Sequence, residues 1–345
     1  MGALKSLAYG LSSLAGAPRL WQRAFASDGV AVLMYHAVTR TSLSVTDWVF
    51  VEERLFRQQM LYLKRHCQVL PLRDVPAAIR TGTKQRPIVA LTFDDGFQNN
   101  YGIAFPILRE LALPATIFLA TDFVDSDDTV WFCRINDALS RTSLTRLAWD
   151  GKTYDLSSPR SRAAAHARFQ VQLKRFKHPE LLERVARLVE ALGDRPGKAI
   201  PRGSVYRMLA TPEIREMAGM GLIEFGAHSC SHAILSGLTA AERKREVVES
   251  VAAVARLTGS PCTLFAYPNG RAIDYGPCDM DELRGNNITV AVTTVAGPND
   301  ASVPALEMRR YGVGAGTSLS QFKLLTHHVL WSLRHLTSTD RPSLR

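Results

Sequence analysis

Short, unbroken apolar runs alternate along this chain with longer stretches whose apolar positions recur every three or four residues. The first kind predicts buried strands and the second predicts helices with one apolar face. Residues 30–34 form such a run and end at Tyr35-His36. Leu55, Phe56, Met60 and Leu63 then mark a helix. Residues 87–93 read as a strand running into Asp94-Asp95-Gly96, and Ala104, Phe105, Leu108 and Leu111 carry the helix after it. Residues 114–120 are the next strand. Thr211-Pro212-Glu213 has a cap residue, a proline and an acid, so it starts a helix that runs to Gly219 or Gly221. A strand over 222–227 ends at His228. Thr239-Ala240-Ala241-Glu242 is a capping box that opens a helix to about Leu257. Residues 262–266 form a strand ending at Tyr267-Pro268-Asn269-Gly270, 288–292 another, and 319–336 a final helix. Strand–helix alternation of this kind implies an α/β fold around a parallel sheet, open or closed into a barrel.

Two segments depart from the pattern. Residues from about 125 to 207 are polar and rich in Arg and Lys, with Ala186, Leu188, Val189 and Leu192 inside probable helices. The stretch is too long for a plain connection, so it is expected to be an insertion over one face of a domain spanning 27–318, with 319–345 as a C-terminal helix and tail. In residues 1–26, Leu4, Leu7, Leu11 and Leu14 recur at helical spacing beside Lys5, Arg19 and Arg23. Ser and Gly interrupt the apolar side, unlike a signal peptide or a spanning helix. The expectation is an amphipathic helix that packs on the domain or touches a membrane surface.

Composition narrows the partners. Hydrophobic residues make up 46% and charged residues 21% of 345, as in an ordinary globular protein. The formal charge of +10 favours anionic surroundings such as headgroups or a lipid-linked glycan. The basic residues are scattered and no nucleic-acid motif accompanies them, so nucleic acid is not an expected partner. Five cysteines without a Cys-x-x-Cys pair argue against a disulfide framework and a thiolate zinc site, and fit a reducing compartment. The expected location is cytoplasmic or peripheral to an inner membrane. No Gly-x-Gly-x-x-Gly or Walker loop follows the first strand, which disfavours nucleotide binding.

The candidate chemistry lies where predicted strands end: His36, Asp94 with Asp95, His228, and Tyr267 to Gly270. In a parallel barrel such ends share one rim. Asp-Asp-Gly alone reads equally as a solvated turn, and a lone His-x-x-x-His as surface. Together, two imidazoles (His228, His232) and a neighbouring carboxylate make a three-ligand set for zinc or a similar divalent metal. If the turn after the strand is helical, His228 and His232 share a face.

Three segments resemble, in order, the first motifs of the polysaccharide deacetylases, the nodulation-type deacetylase domain of carbohydrate esterase family four. They are Thr92-Phe93-Asp94-Asp95-Gly96, His228-Ser229-Cys230-Ser231-His232 and Phe265-Ala266-Tyr267-Pro268-Asn269-Gly270. The early Met34-Tyr35-His36 is similar to a subgroup from exopolysaccharide clusters, in which the catalytic histidine precedes the first motif. The resemblance implies a distorted, seven-stranded (β/α) barrel and a metal-dependent N-deacetylase. Its substrate would be an N-acetylated polysaccharide or lipid-linked sugar. It implies Asp94 as general base, and Asp95, His228 and His232 as ligands of a divalent metal: zinc, or alternatively cobalt, nickel or iron. It implies the Tyr267 N–H, with Pro268 and Asn269 nearby, at the oxyanion, and His36 as general acid. His327, in Leu325-Thr326-His327, is the second candidate for the acid. Many members carry an Arg before the third motif. Leu264-Phe265-Ala266 has none, and Arg309 or Arg310 is the candidate replacement that orients the base. Two other readings stay open at this stage: an O-acetyl esterase or other amide hydrolase on the same site, and a non-catalytic carbohydrate-binding protein. The sequence fixes no oligomeric state.

Overall fold

The structure is a computed structural model and describes residues 29–81, 86–329 and 331–332. The amphipathic segment expected at 1–26 and the end of the expected final helix lie outside the described residues. In chain order the strands are β1 (Ala31–Tyr35), β2 (Ala37–Thr39), β3 (Phe50–Glu52), β4 (Gln68–Val69), β5 (Ile88–Phe93), β6 (Ala115–Leu119), β7 (Arg146–Trp149), β8 (Lys152–Asp155), β9 (Ile223–Ala227), β10 (Leu264–Ala266), β11 (Val290–Val292) and β12 (Tyr311–Gly312).

Seven strands pair in parallel in the order β11-β10-β9-β6-β5-β1-β12, and β4 adds to the start of β5. Every residue of β1, β5, β6, β10 and β11 is buried. Burial on both faces explains why these strands appear in the sequence as unbroken apolar runs rather than as alternation. The sheet curls into a half-barrel. A segment before β12 brings its edges toward each other: Met308 bridges Val292 at the end of β11, and Tyr311 pairs with Leu33 of β1. The fold is a distorted (β/α) barrel, as the motif resemblance implied.

The helices are α1 (Glu53–His66), α2 (Val75–Thr81), α3 (Phe105–Leu111), α4 (Trp131–Arg141), α5 (Pro159–Leu173), α6 (His178–Ala191), α7 (Thr211–Gly219), α8 (Ala240–Lys244), α9 (Ser250–Thr258), α10 (Pro277–Gly285) and α11 (Leu319–Thr326). Helix α7 starts one residue earlier than the sequence suggests: Ala210, not Thr211, is the cap residue, and Glu213 Oε2 accepts its N–H at 2.9 Å. The Thr239–Glu242 capping box is present. The helix it opens is broken by a π-turn over Arg245–Glu249 between α8 and α9. The expected final helix is interrupted: α11 ends at Thr326, a turn covers 327–328, and residues 329, 331 and 332 are helical again. His328 takes φ of 59° and is held by the Tyr311 hydroxyl and the Gly29 carbonyl, at 3.0 and 2.9 Å. Among the described residues no helix is long and apolar enough to cross a membrane.

Helices α4 to α6 and the β7–β8 hairpin occupy the inserted stretch. They bury their own apolar cluster, including Phe169, Leu188 and Leu147, against Val49, Phe50 and Phe97 from the strand-end side of the barrel. All five cysteines are free thiols.

Candidate active site

The site is built on the ends of β1, β5, β9 and β10, all on one side of the sheet. The register pairs Tyr35 with Phe93, so His36 and Asp94 leave β1 and β5 side by side, and the Asp94 N–H donates to the Tyr35 carbonyl at 3.0 Å. The chain then turns sharply, with φ of 72° at Asp95 and 83° at Gly96. A Cβ on Gly96 would stand 2.8 Å from Leu119 Cδ2, so glycine is required both for the left-handed backbone and for the approach to β6. This turn directs the two carboxylates to different tasks.

Asp94 is fully paired. Arg310 donates to both of its oxygens at 2.7 Å, and also to the Thr293 carbonyl and the Thr92 hydroxyl. Burial alone would raise the Asp94 carboxyl, but the Arg310 guanidinium and the nearby imidazoles outweigh it and hold the group below the usual carboxylate range. A carboxylate has about four lone-pair sites, so the two taken by Arg310 leave others for a proton. Of the two candidate arginines it is Arg310 that orients Asp94. Arg309 instead donates its backbone N–H to Asn299.

Asp95 is different. Both of its oxygens are buried with no hydrogen-bond partner. The His228 and His232 Nε2 atoms approach its Oδ1 at 3.5 and 3.2 Å, and one donor atom from each of the three residues fits within 4.8 Å of the others. His228 Nδ1 lies 2.7 Å from the Ala266 carbonyl, which fixes that nitrogen as the donor and leaves the Nε2 lone pair facing Asp95. Burial pushes the His228 imidazole down to about 4, so it is neutral at pH 7 as a ligand must be. Burial works against the Asp95 charge, yet His232, His36 and His228 hold its carboxyl well below the usual range. A buried carboxylate without a hydrogen-bond partner, facing two imidazole nitrogens, is a costly arrangement on its own. It fits the N₂O donor set of zinc or a similar divalent ion.

The two histidines do not meet through a helical turn, as the sequence suggested. Ser229 and His232 both take φ of 60°, and the loop folds back so that the imidazole centroids lie 5.0 Å apart. The clamp that holds it is Glu246, on the π-turn. Its carboxylate accepts the Cys230 N–H, the Ser231 N–H and the Ser231 hydroxyl at 2.8 to 2.9 Å. Phe132 of α4 packs its ring on His232, with centroids 5.8 Å apart.

His36 sits at the same rim. Its Nδ1 is buried without a hydrogen-bond partner, and its ring meets Trp48 edge to face at 4.9 Å. The structure places His327 elsewhere, against the Tyr62 hydroxyl of α1 at 2.9 Å. Tyr267 does not offer its N–H to a substrate. That group donates to Val292 at 3.1 Å in the β10–β11 ladder, while the side chain is buried against Tyr275 with its hydroxyl on the Leu306 carbonyl. Pro268 has no N–H, so the first uncommitted one in this loop belongs to Asn269, which takes φ of 60°. The Asn269 side chain accepts from Lys174, at the end of α5, at 2.7 Å and donates to Asp274 at 2.6 Å.

Sequence reasoning missed Glu246, Trp48 and Lys174. Glu246 falls four residues after Glu242 in a capped helix, where an acid looks like a surface residue, and only the π-turn aims it inward. Trp48 and Lys174 belong to irregular or inserted segments that no periodicity ties to the rim.

The polysaccharide deacetylase family model matches residues 81–276, more than half of the chain. No curated protein sequence matches it. Several solved structures share the fold. The deacetylase PplD of Streptococcus pyogenes in complex with acetate is 18% identical with a TM-score of 0.57, over 88% of this chain and 97% of that one. BC0361, a polysaccharide deacetylase from Bacillus cereus, is 21% identical with a TM-score of 0.56, over 86% and 69%. IcaB from Ammonifex degensii is 19% identical with a TM-score of 0.56, over 87% and 98%. The span of the family match takes in both Asp95 and the histidine pair, and the chain belongs to the polysaccharide deacetylases, hydrolases of the amide bond in acetylated sugars.

Proposed function

We propose that the chain is a divalent-metal-dependent N-deacetylase acting on an N-acetylated amino sugar within a polysaccharide or lipid-linked glycan. The observation that carries this reading is the contrast between adjacent carboxylates. Both Asp94 oxygens are held by Arg310, whereas neither Asp95 oxygen has a hydrogen-bond partner and Oδ1 faces the Nε2 atoms of His228 and His232.

Asp95, His228 and His232 would hold the metal, which when bound would supply Lewis acidity toward the acetyl carbonyl and the attacking water. Asp94, kept ionised, takes the proton of the attacking water as general base, and Arg310 fixes the direction of that carboxylate. The Asn269 N–H serves the developing oxyanion in place of Tyr267. His36 returns a proton to the departing amine. Phe132 and the inserted helices keep bulk water from this rim.

Relatives in the same fold include IcaB and the deacetylase domain of BpsB from Bordetella bronchiseptica. They support a glycan substrate, and the net charge of +10 suits an anionic carrier such as a phosphate-linked lipid. Acetate release from N-acetylglucosamine oligomers by metal-loaded chain, abolished by chelation and restored by zinc, tests the reading. Release that chelation leaves unchanged would exclude a role for metal.

A further inference from the structure

Of the exposed large apolar side chains among the described residues, Trp48 alone is aromatic, and it is 47% exposed. Its position is fixed from all sides. The neighbours Asp47 and Val49 are buried, and the Val49 carbonyl accepts the Ala37 N–H at 3.1 Å. The Trp48 carbonyl accepts the Ala315 N–H at 2.9 Å. The backbone of residues 312–314 is glycine at both positions that face the indole. A Cβ on Gly312 would touch Trp48 Cζ3 at 3.6 Å, and one on Gly314 would collide with the Trp48 carbonyl at 2.3 Å and Cε3 at 2.9 Å. Gly314 therefore makes room for an indole that then stands out into solvent. On its inner side it meets the His36 ring at 4.9 Å. His36 leaves β1 beside Asp94 at the end of β5, so the indole stands next to the reacting centre.

We infer that Trp48 is a sugar-stacking platform, a subsite on which one pyranose ring of the glycan lies while its acetamide, or that of the adjoining sugar, reaches the metal-ligand triad. The inference rests on the proposed deacetylase reading for its choice of ligand. An indole offers a large flat surface with a negative face, which suits the C–H face of a pyranose, and it loses little side-chain entropy on binding because it is already held. The sugar hydroxyls remain in water. The other exposed apolar side chains, such as Ile273 and Val171, have no flat ring to offer.

The experiment titrates metal-loaded chain with N-acetylglucosamine and its tetramer, following tryptophan emission and calorimetric binding, and measures acetate release in parallel. A saturable change in emission is expected, absent in Trp48→Phe. Trp48→Ala should raise KM at least tenfold with a much smaller fall in kcat, and Trp48→Tyr should recover most of the loss. Gly314→Ala should mimic Trp48→Ala, because the added methyl displaces the indole without removing it. A response to the monomer places the reacting sugar on Trp48, and a response to the tetramer alone places its neighbour there. Both support the platform. An emission unchanged by either sugar, or equal calorimetric affinity in wild type and Trp48→Ala, overturns it. Absence of acetate release with intact Trp48-dependent binding would count against the deacetylase reading and leave the platform standing.

Discussion

The barrel rim and the stretch that holds α4 to α6 meet where Phe132 packs on His232 but are built on different terms. At the rim, His36, Asp94 and His228 are each the first residue past a parallel strand, with Asp95 and His232 in the turns that follow, and backbone hydrogen bonds to the neighbouring strand hold Asp94 and His228. Asp94 N–H is on Tyr35, and His228 N–H is on Leu119 at 2.9 Å. The insertion has no strand in the main sheet. It packs helices around its own core, and it reaches the rim through single side chains, Phe132 on His232 and Lys174 on Asn269. The difference teaches where each kind of function can reside. Ligand and base geometry needs the stiffness of the sheet, whereas shielding and shaping of the cleft tolerate helices that dock as a unit.

That division yields graded predictions. Removing a ligand should have the largest effect. Asp95→Ala is expected to abolish stoichiometric metal binding, by elemental analysis, and to lower acetate release at least ~1,000-fold, while the apo chain keeps its fold. Next is the Arg310–Asp94 pair. Arg310→Met leaves Asp94 buried and uncompensated, a loss of about 3–5 kcal/mol in denaturant unfolding at neutral pH. The sign with pH is definite. In wild type the Asp94 carboxyl sits below its ordinary value, so its contribution is present above the carboxylate range and fades as acid protonates it. In the variant, burial without Arg310 raises that carboxyl, so the stability gap to wild type should narrow as pH falls toward 4. Asp94→Asn in the same background should restore much of the stability and none of the activity.

A smaller effect is expected one layer out. Glu246→Gln keeps the size of the clamp but weakens its hold on Cys230 and Ser231. Metal affinity should fall about 10–100-fold by competition with a chelator, with little change in melting temperature of the metal-free chain. The smallest effect belongs to the insertion. Lys174→Met should change kcat/KM by a few-fold, because the Asn269 carbonyl is still held by the Thr294 hydroxyl at 2.7 Å. Equal losses from Lys174→Met and Glu246→Gln would erase the distinction between the two regions.

The legibility of the sequence follows the same line. Residues 30–34 and 87–93 are visible because strands buried on both faces are nearly apolar throughout, and 222–227 is visible despite the half-buried Glu224. Their polar terminators, His36, Asp94-Asp95 and His228, stand out for that reason. The insertion is only partly visible. Helix α5 spreads Arg and Ala around its circumference and shows no clear apolar stripe. The hairpin turn at Asp150-Gly151, with φ of 50° and 69°, carries a recognisable Asp-Gly signal but is flanked by strands of four residues. The replacement of the third-motif arginine was narrowed to two neighbours. Only the register of β12 against β1, which turns Arg310 inward, separates them. The Tyr267 N–H looks free in sequence because it lies at a strand end, and it is committed to Val292 once β11 pairs with β10.

The most direct test of the central claim is metal content together with acetate release from N-acetylglucosamine tetramer, in wild type and in Asp95→Ala with His228→Ala. The account predicts one divalent ion per wild-type chain and measurable release, with both lost in the double variant. Release that persists in the double variant, or a wild-type chain that binds no metal while it deacetylates, would contradict it.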